Sequence, residues 1–369
     1  MIAKKWLMIG FAVLALSLLP RTFAHHPTPL FIQLLAEDSA ETLPTGFLDR
    51  VTQRLEAVEL TPVFITEENS EQHGQFWHQP SLILSSETTG EEIVISVRPF
   101  ATLRLPISSA LAASPTAPVE VNIYAEVERD SSAFTLMTAM GLYVSHRCSE
   151  ALPLFDALAQ DADVTNPTLD FYRATCLLID GELEAARALY ERQPPANAES
   201  WVEYVPFALN LAWIDLQEGN PEESFQRLET VLNQLEDEDS PARMALLSGR
   251  ARLYSLNFQY DAAIADMDAA VALEPENPEL YVLRGQMVML LYEWDRVLEN
   301  YNTALELDPH YADAYYFRGI LYYSVLERET ALADFEHYLT LVPAGGYSDE
   351  ARHYAESIRA ELEAVGEGD

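Results

Sequence analysis

The chain has 369 residues and carries 22 basic against 59 acidic residues, a formal charge of −37. A field of that sign repels phosphate backbones and anionic headgroups, which excludes nucleic-acid binding as a function class. Hydrophobic residues make up 49% of the sequence, enough for a packed core, which excludes a disordered acidic tail.

Residues 1–24 read as a secretory signal. Lys4 and Lys5 form its charged start, and Leu7 to Leu19 is an apolar run of 13 residues broken by Pro20. A membrane-spanning helix needs about 20. Thr22-Phe23-Ala24 supplies small residues for cleavage after Ala24. The competing reading is an uncleaved anchor, the one way this chain would meet a membrane. No Cys follows the run, so a lipoprotein anchor is excluded. Cleavage removes Lys4, Lys5 and Arg21 and leaves 22 − 3 = 19 basic residues, all Arg, against 59 acids, a formal −40. That surface stays soluble by self-repulsion, suits a saline exterior, and attracts a basic partner if it has one. A merely solvated surface is the plainer account.

Residues 25–118 read as a small α/β domain. Leu30 to Leu35 is a short apolar run, and Leu48, Val51, Leu55 and Val58 share one helical face. Pro62 to Thr66 and Ser81 to Ser86 read as strands, and Glu91 to Arg98 alternates, with Ile93, Ile95 and Val97 on one face after a Thr89-Gly90 turn. Val119 to Tyr124 is a further strand candidate, and the stretch from Ile107 to Pro118, rich in Pro, Ser and Ala, is a loop or linker.

From Met244 the sequence repeats. Three blocks of 34 residues, 244–277, 278–311 and 312–345, align without a gap. Arg250, Arg284 and Arg318 hold one position; Ala251, Gly285 and Gly319 hold the next, where a small residue lets helices approach. Tyr254, Val288 and Tyr322 follow on the same face. The second half of each block repeats Ala263, Val297 and Ala331, then Met267, Tyr301 and Phe335, then Ala270, Ala304 and Tyr338. Pro275, Pro309 and Pro343 close the blocks because proline cannot continue a helix. Each block predicts two amphipathic helices that bury their apolar faces only by stacking on neighbours. Three weaker units precede them, at about 132–165, 167–200 and 205–238, giving six units over 132–345. Pro153 is expected near a helix start, where proline is tolerated. Ser348 is expected to N-cap a terminal helix over 348–364, with Ala351, Tyr354, Ile358 and Leu362 as its one apolar stripe.

This pattern of a large residue, a small residue, Tyr, Ala, an aromatic, Ala and Pro at set spacings resembles the tetratricopeptide repeat. Arg stands where the family usually has Leu, as in a Tyr-x-x-Arg-Gly variant. The resemblance implies a mostly α fold, a right-handed superhelical solenoid behind a small α/β domain, as in exported bacterial proteins of this type. It also implies a non-enzymatic binding scaffold whose first helices line a concave groove for a peptide or helix. By register that groove carries Ser248, Arg252 and Ser255, then Val282, Gln286 and Met289, then Tyr316, Ile320 and Tyr323. The carboxylate-clamp subfamily uses Lys and Asn in these slots; the mature chain would have no lysine, so that activity is not supported. An extended or helical segment with apolar anchors fits better. The opposing account is that these aromatics merely pack between helices.

Other chemistry is sparse. Cys148 and Cys176 fall on adjacent predicted helices, which in an exported chain favours a disulfide over two buried thiols. A nucleophilic Cys148 beside His146 lacks any supporting helix-start or oxyanion pattern. His25 and His26, with His73 or His78, could bind copper, against an exposed flexible start as the plainer account. This is the alternative function of the N-terminal domain, as a metal-binding or enzymatic module. The acidic run Glu236-Asp237-Glu238-Asp239 lacks the turn glycine of a calcium loop and reads as a solvated loop. No cofactor is expected. Arg250, Arg284 and Arg318 are expected to meet Asp266, Asn300 and Asp334 in a ladder between helices.

Overall fold

The computed structural model describes residues 28–34, 46–65, 81–89, 92–99, 119–124, 132–160, 167–192, 200–235, 240–343 and 347–366. The signal segment, the 107–118 linker, the acidic run at 236–239 and His25, His26, His73 and His78 lie outside them. The chain divides into two compact units, Arg21–Leu235 and a unit containing Glu236–Asp369.

The first unit begins with a five-stranded sheet. Its strands are β1 (Thr28–Leu34), β2 (Leu60–Ile65), β3 (Ser81–Thr89), β4 (Glu92–Pro99) and β5 (Val119–Tyr124), in the order β2-β1-β3-β4-β5. β1 pairs in parallel with both β2 and β3, in the registers Thr28↔Leu60 and Phe31↔Ser81. Parallel neighbours need a crossover, and helix α1 (Phe47–Glu56) supplies it between β1 and β2. β3 and β4 form an antiparallel hairpin down to Thr89↔Glu92, and β5 pairs antiparallel with β4. The sheet therefore takes in 119–124, one strand past the domain boundary placed at 118. Phe47, Val51 and Leu55 are the buried residues of α1, while Leu48 is half-buried and Val58 lies beyond the helix. The buried face therefore runs through Phe47 rather than Leu48.

Three helix pairs follow: α2 (Ser132–Val144) with α3 (Cys148–Leu158), α4 (Pro167–Ile179) with α5 (Leu183–Tyr190), and α6 (Ser200–Gln217) with α7 (Pro221–Leu232). Helix α2 is apolar on every side, as a helix packed all round must be. It lies between α3 and the sheet. A Cβ at Gly141 would stand 2.9 Å from Leu30 Cδ2 and 3.1 Å from Leu55 Cδ2 and Leu60 Cδ1, so glycine admits the sheet core against the helix. Phe47 stacks on Phe134 with centroids 5.1 Å apart. Pro153 is the sixth residue of α3, not near its start as expected, and it removes one internal helical hydrogen bond there.

The second unit has α8 (Ser240–Leu256) with α9 (Tyr260–Leu273), α10 (Pro278–Met289) with α11 (Trp294–Leu307), α12 (Ala312–Ser324) with α13 (Arg328–Leu341), and the terminal α14 (Ser348–Gly366). Consecutive helices pack on one another throughout. Helices α6 and α8 start at Ser200 and Ser240, upstream of the repeat boundaries at 205 and 244. Ser348, at the start of α14, is buried and donates to Val342 O at 2.7 Å, satisfying a carbonyl beyond the end of α13. Ala351 and Ile358 are buried under the cap, with Tyr354 and Leu362 half-buried.

Every pair turns through one left-handed residue at the same repeat position: His146 (φ 61°), Gly181 (84°), Gly219 (82°), Phe258 (61°), Tyr292 (61°) and Leu326 (69°). In five of these turns the next amide bonds a carbonyl five residues back, as in Glu182 N to Leu177 O and Gln259 N to Tyr254 O. Glycine adopts this conformation freely, whereas a residue with a Cβ loses roughly 1–2 kcal/mol.

Candidate functional site

The periodic arginines bind within the stack. Arg250 reaches Asp266 with two hydrogen bonds of 2.7 Å. Arg284 donates to Asn300 Oδ1 at 2.7 Å in its own pair and to Asp268 Oδ1 at 3.0 Å in the pair before. Arg318 does the same, with two bonds of 2.8 Å to Asp334 and one of 2.8 Å to Asn302 Oδ1. The bond to Asp334 holds the Arg318 guanidinium protonated even more firmly than usual. Each of these two side chains thus bonds sixteen residues forward and sixteen back, across two repeats. They are structural, and so are the glycines beside them. A Cβ at Gly285 would stand 2.5 Å from Tyr301 Cε1, and one at Gly319 would stand 3.0 Å from Phe335 Cε1.

In the first unit a different arrangement serves. Asp215, 1% exposed, lies 2.8 Å from Arg187 Nη2 and 2.9 Å from Arg227 Nε, so one buried carboxylate ties α5 and α7 to α6. Tyr190 is held by Thr175 and Asn210 at 2.8 Å each, and its burial pushes the phenol pKa upward. Cys148 and Cys176 are brought side by side in this core. Both are buried, Sγ to Sγ 2.6 Å, and burial pushes the Cys176 thiol far up.

The first-helix strip expected to line a groove is mostly interior. Arg252, Val282, Tyr316 and Ile320 are 4%, 1%, 8% and 5% exposed, and Ser248 is buried with them. Tyr316 lies flat on Tyr347, centroids 4.2 Å apart and planes 7° apart, and Tyr323 meets the edge of Tyr354 at 5.1 Å. The entry to α14 and the helix itself therefore cover this face of the last repeat. Repeat register says which helix face a residue occupies, not how closely the next pair lies on it, which is why these four are interior. Gln286, Met289, Ser255 and Tyr323 keep part of their surface in solvent. Among the described residues no three His, Cys, Asp or Glu side chains are grouped to hold a metal. Nor is any described helix long and apolar enough to cross a membrane.

The exposed large apolar side chains were not anticipated. Phe258, Tyr292 and Leu326 are 75%, 44% and 67% exposed, with Leu307, at the end of α11, at 39%. The signal was present in the alignment of repeats: the first three share the register position that Gly181 and Gly219 occupy in the first unit.

Two stretches match family descriptions: residues 293–325 match "TPR repeat" and residues 136–199 match "Tetratricopeptide repeat". Similar solved structures include a thermophilic TPR protein from Thermus thermophilus, 24% identical over 53% of this chain and 100% of that one, TM-score 0.39. A tetratricopeptide repeat protein from Parabacteroides merdae is 18% identical over 62% of this chain and 84% of its own, TM-score 0.46. The first TPR domain of human RPAP3 is 25% identical over 35% of this chain and 99% of its own, TM-score 0.31. No curated protein matches the chain significantly.

Proposed function

Because this chain is a tetratricopeptide-repeat protein, of a fold whose members are protein–protein interaction scaffolds, we propose that it is a non-enzymatic scaffold holding a polypeptide partner outside the cytoplasm. The observation that carries this is the use of polar chemistry. The periodic arginines, their acids and amides, and the conserved-register aromatics are bonded or buried inside the stack, so they support shape and leave the outer faces for contact. On the first helices the open part is short, centred on Gln286 and Met289 of α10. A peptide lying there has a thioether to pack on and an amide to bond.

Export rests on the Lys4-Lys5 start, the Leu7–Leu19 run and the small residues before His25. A mature N-terminus at His25, read by terminal sequencing of protein recovered from outside the cytoplasm, supports it; an intact Met1 terminus on cytoplasmic protein overturns it.

The binding reading is tested by placing a photo-crosslinking phenylalanine analogue at Met289, with exposed Glu363 as the comparison position. Crosslinking in the native host should yield a polypeptide adduct from position 289. Adducts from 363 with none from 289 would place the partner elsewhere.

A further inference from the structure

Phe258, Tyr292 and Leu326 stand at the same turn of three successive helix pairs, all within the second unit. Stacked helices lie 8–10 Å apart, so equivalent turns recur on the order of every 10 Å or more along one edge. Turn chemistry does not account for these residues. The position demands positive φ, which glycine meets without strain, as Gly181 and Gly219 do in the first unit, where His146 is the one non-glycine of the three turns. Packing does not account for them either, since Phe258 and Leu326 are largely in water and Tyr292 keeps 44% of its surface exposed. Two are extended by a second ring: Phe258 meets Tyr260 at 6.4 Å and Tyr292 meets Trp294 at 5.7 Å, both edge-on. A single exposed apolar residue needs no explanation, but a strained, periodic row of them marks a contact surface.

The charge around the row selects the partner. Asp261, Glu293, Asp295, Glu327 and Glu329 flank the three turns, and all are exposed. Residues 240–366 contain 21 acids against 9 arginines, a formal 9 − 21 = −12, and most of those arginines are already bonded to the unit's own carboxylates or amides. A second copy brings the same negative field and is repelled, as is an anionic membrane. We propose that this turn edge is a docking strip for a cationic amphipathic helix of another protein. Its apolar side chains pack on Phe258, Tyr292 and Leu326 while its Lys and Arg face the flanking acids. At 1.5 Å per residue, a helix lying along the edge presents an anchor about every seven residues, which is two turns of one face.

The strip borders the Met289 face, Tyr292 N donating to Met289 O at 3.0 Å, so the test reads the strip through its own side chains. The probe is a labelled synthetic Leu/Lys amphipathic helix, about three heptads long, titrated by anisotropy into the full chain. Controls carry Glu for every Lys or Ser for every Leu. The triple variant Phe258→Gly, Tyr292→Gly, Leu326→Gly relieves positive-φ strain, so its thermal melt should match or exceed wild type and misfolding is not the confound. It should bind the Leu/Lys probe at least tenfold more weakly, Glu293→Gln with Asp295→Asn should weaken it severalfold, and Glu363→Gln, at an exposed position of α14, should leave it unchanged. Equal binding by the triple variant overturns the strip, as does equal binding of the Ser-for-Leu peptide, which would show charge attraction alone. Sedimentation showing a wild-type dimer that the triple variant abolishes would assign the edge to a second copy and also overturn the proposal.

Discussion

Arg318 Nη1 donates to Asn302 Oδ1 at 2.8 Å, joining the first helix of the last repeat to the second helix of the repeat before it. The same guanidinium holds Asp334 with its other donors and lies over the rings of Tyr315 and Tyr322 at 5.5 and 6.0 Å. One side chain thereby sets the geometry both inside a repeat and between repeats. Removing it strands Asp334, which is only 5% exposed.

Arg318→Leu should therefore destabilise the second unit by about 3 kcal/mol, the usual result of leaving a buried charge unpaired. Arg284→Leu should cost less, because Asn300 is neutral and the Asp268 side chain is 54% exposed. Urea unfolding of both variants checks the ranking. An Arg284→Leu protein as stable as wild type would remove the ladder from the account at that repeat.

Gly285→Ala sets two effects against each other. Alanine gains about 1 kcal/mol of helix propensity, but its methyl would stand 2.5 Å from the Tyr301 ring, and overpacking costs about 1–3 kcal/mol. The clash should win. Gly319→Ala, at 3.0 Å from Phe335, should be the milder change. Paired thermal melts decide it, and a stabilised Gly285→Ala would show that the ring shifts freely.

Tyr301 is fully buried and its hydroxyl has no hydrogen-bond partner among the described residues. The next repeat carries Phe335 at this position. Tyr301→Phe should raise stability by about 1 kcal/mol, read from denaturant midpoints at constant slope.

Alkaline pH should unfold the protein through its tyrosines. Burial raises the phenol pKa of Tyr143, Tyr190, Tyr301 and Tyr338 in the folded state. A folded-state pKa above the unfolded value of about 10 favours the neutral phenol, so the stability is present below that pH and is lost as pH rises beyond it. Phenolate absorbance should appear in step with loss of helical circular dichroism. Full ionisation with the helices intact would contradict this.

Cys148 and Cys176 should resist alkylation in the native protein, because both are buried from reagent and burial pushes the Cys176 thiol upward. Unfolding without reductant should expose both to iodoacetamide. A chain that reacts only after reduction carries them as a bridge instead. Rapid modification of the folded protein would show that the core around Tyr143 opens readily.

The repeat itself was legible in the sequence, because helix stacking imposes the same small and large residues every 34 positions. Arg284, Gly285 and Tyr301 recur with Arg318, Gly319 and Phe335 for that reason, and the strands at 81–89 and 92–99 show through alternation and a turn. What periodicity leaves open is how closely one element covers the next. Only the folded chain decides that Tyr316 stacks beneath Tyr347, that Ser348 bonds back to Val342, and that Gly141 admits Leu30. Only there, too, do Phe258, Tyr292 and Leu326 emerge as exposed and left-handed rather than as three more core residues. A one-dimensional pattern records which positions are alike from repeat to repeat. Burial depends on what lies across from them, and that is a property of three-dimensional packing.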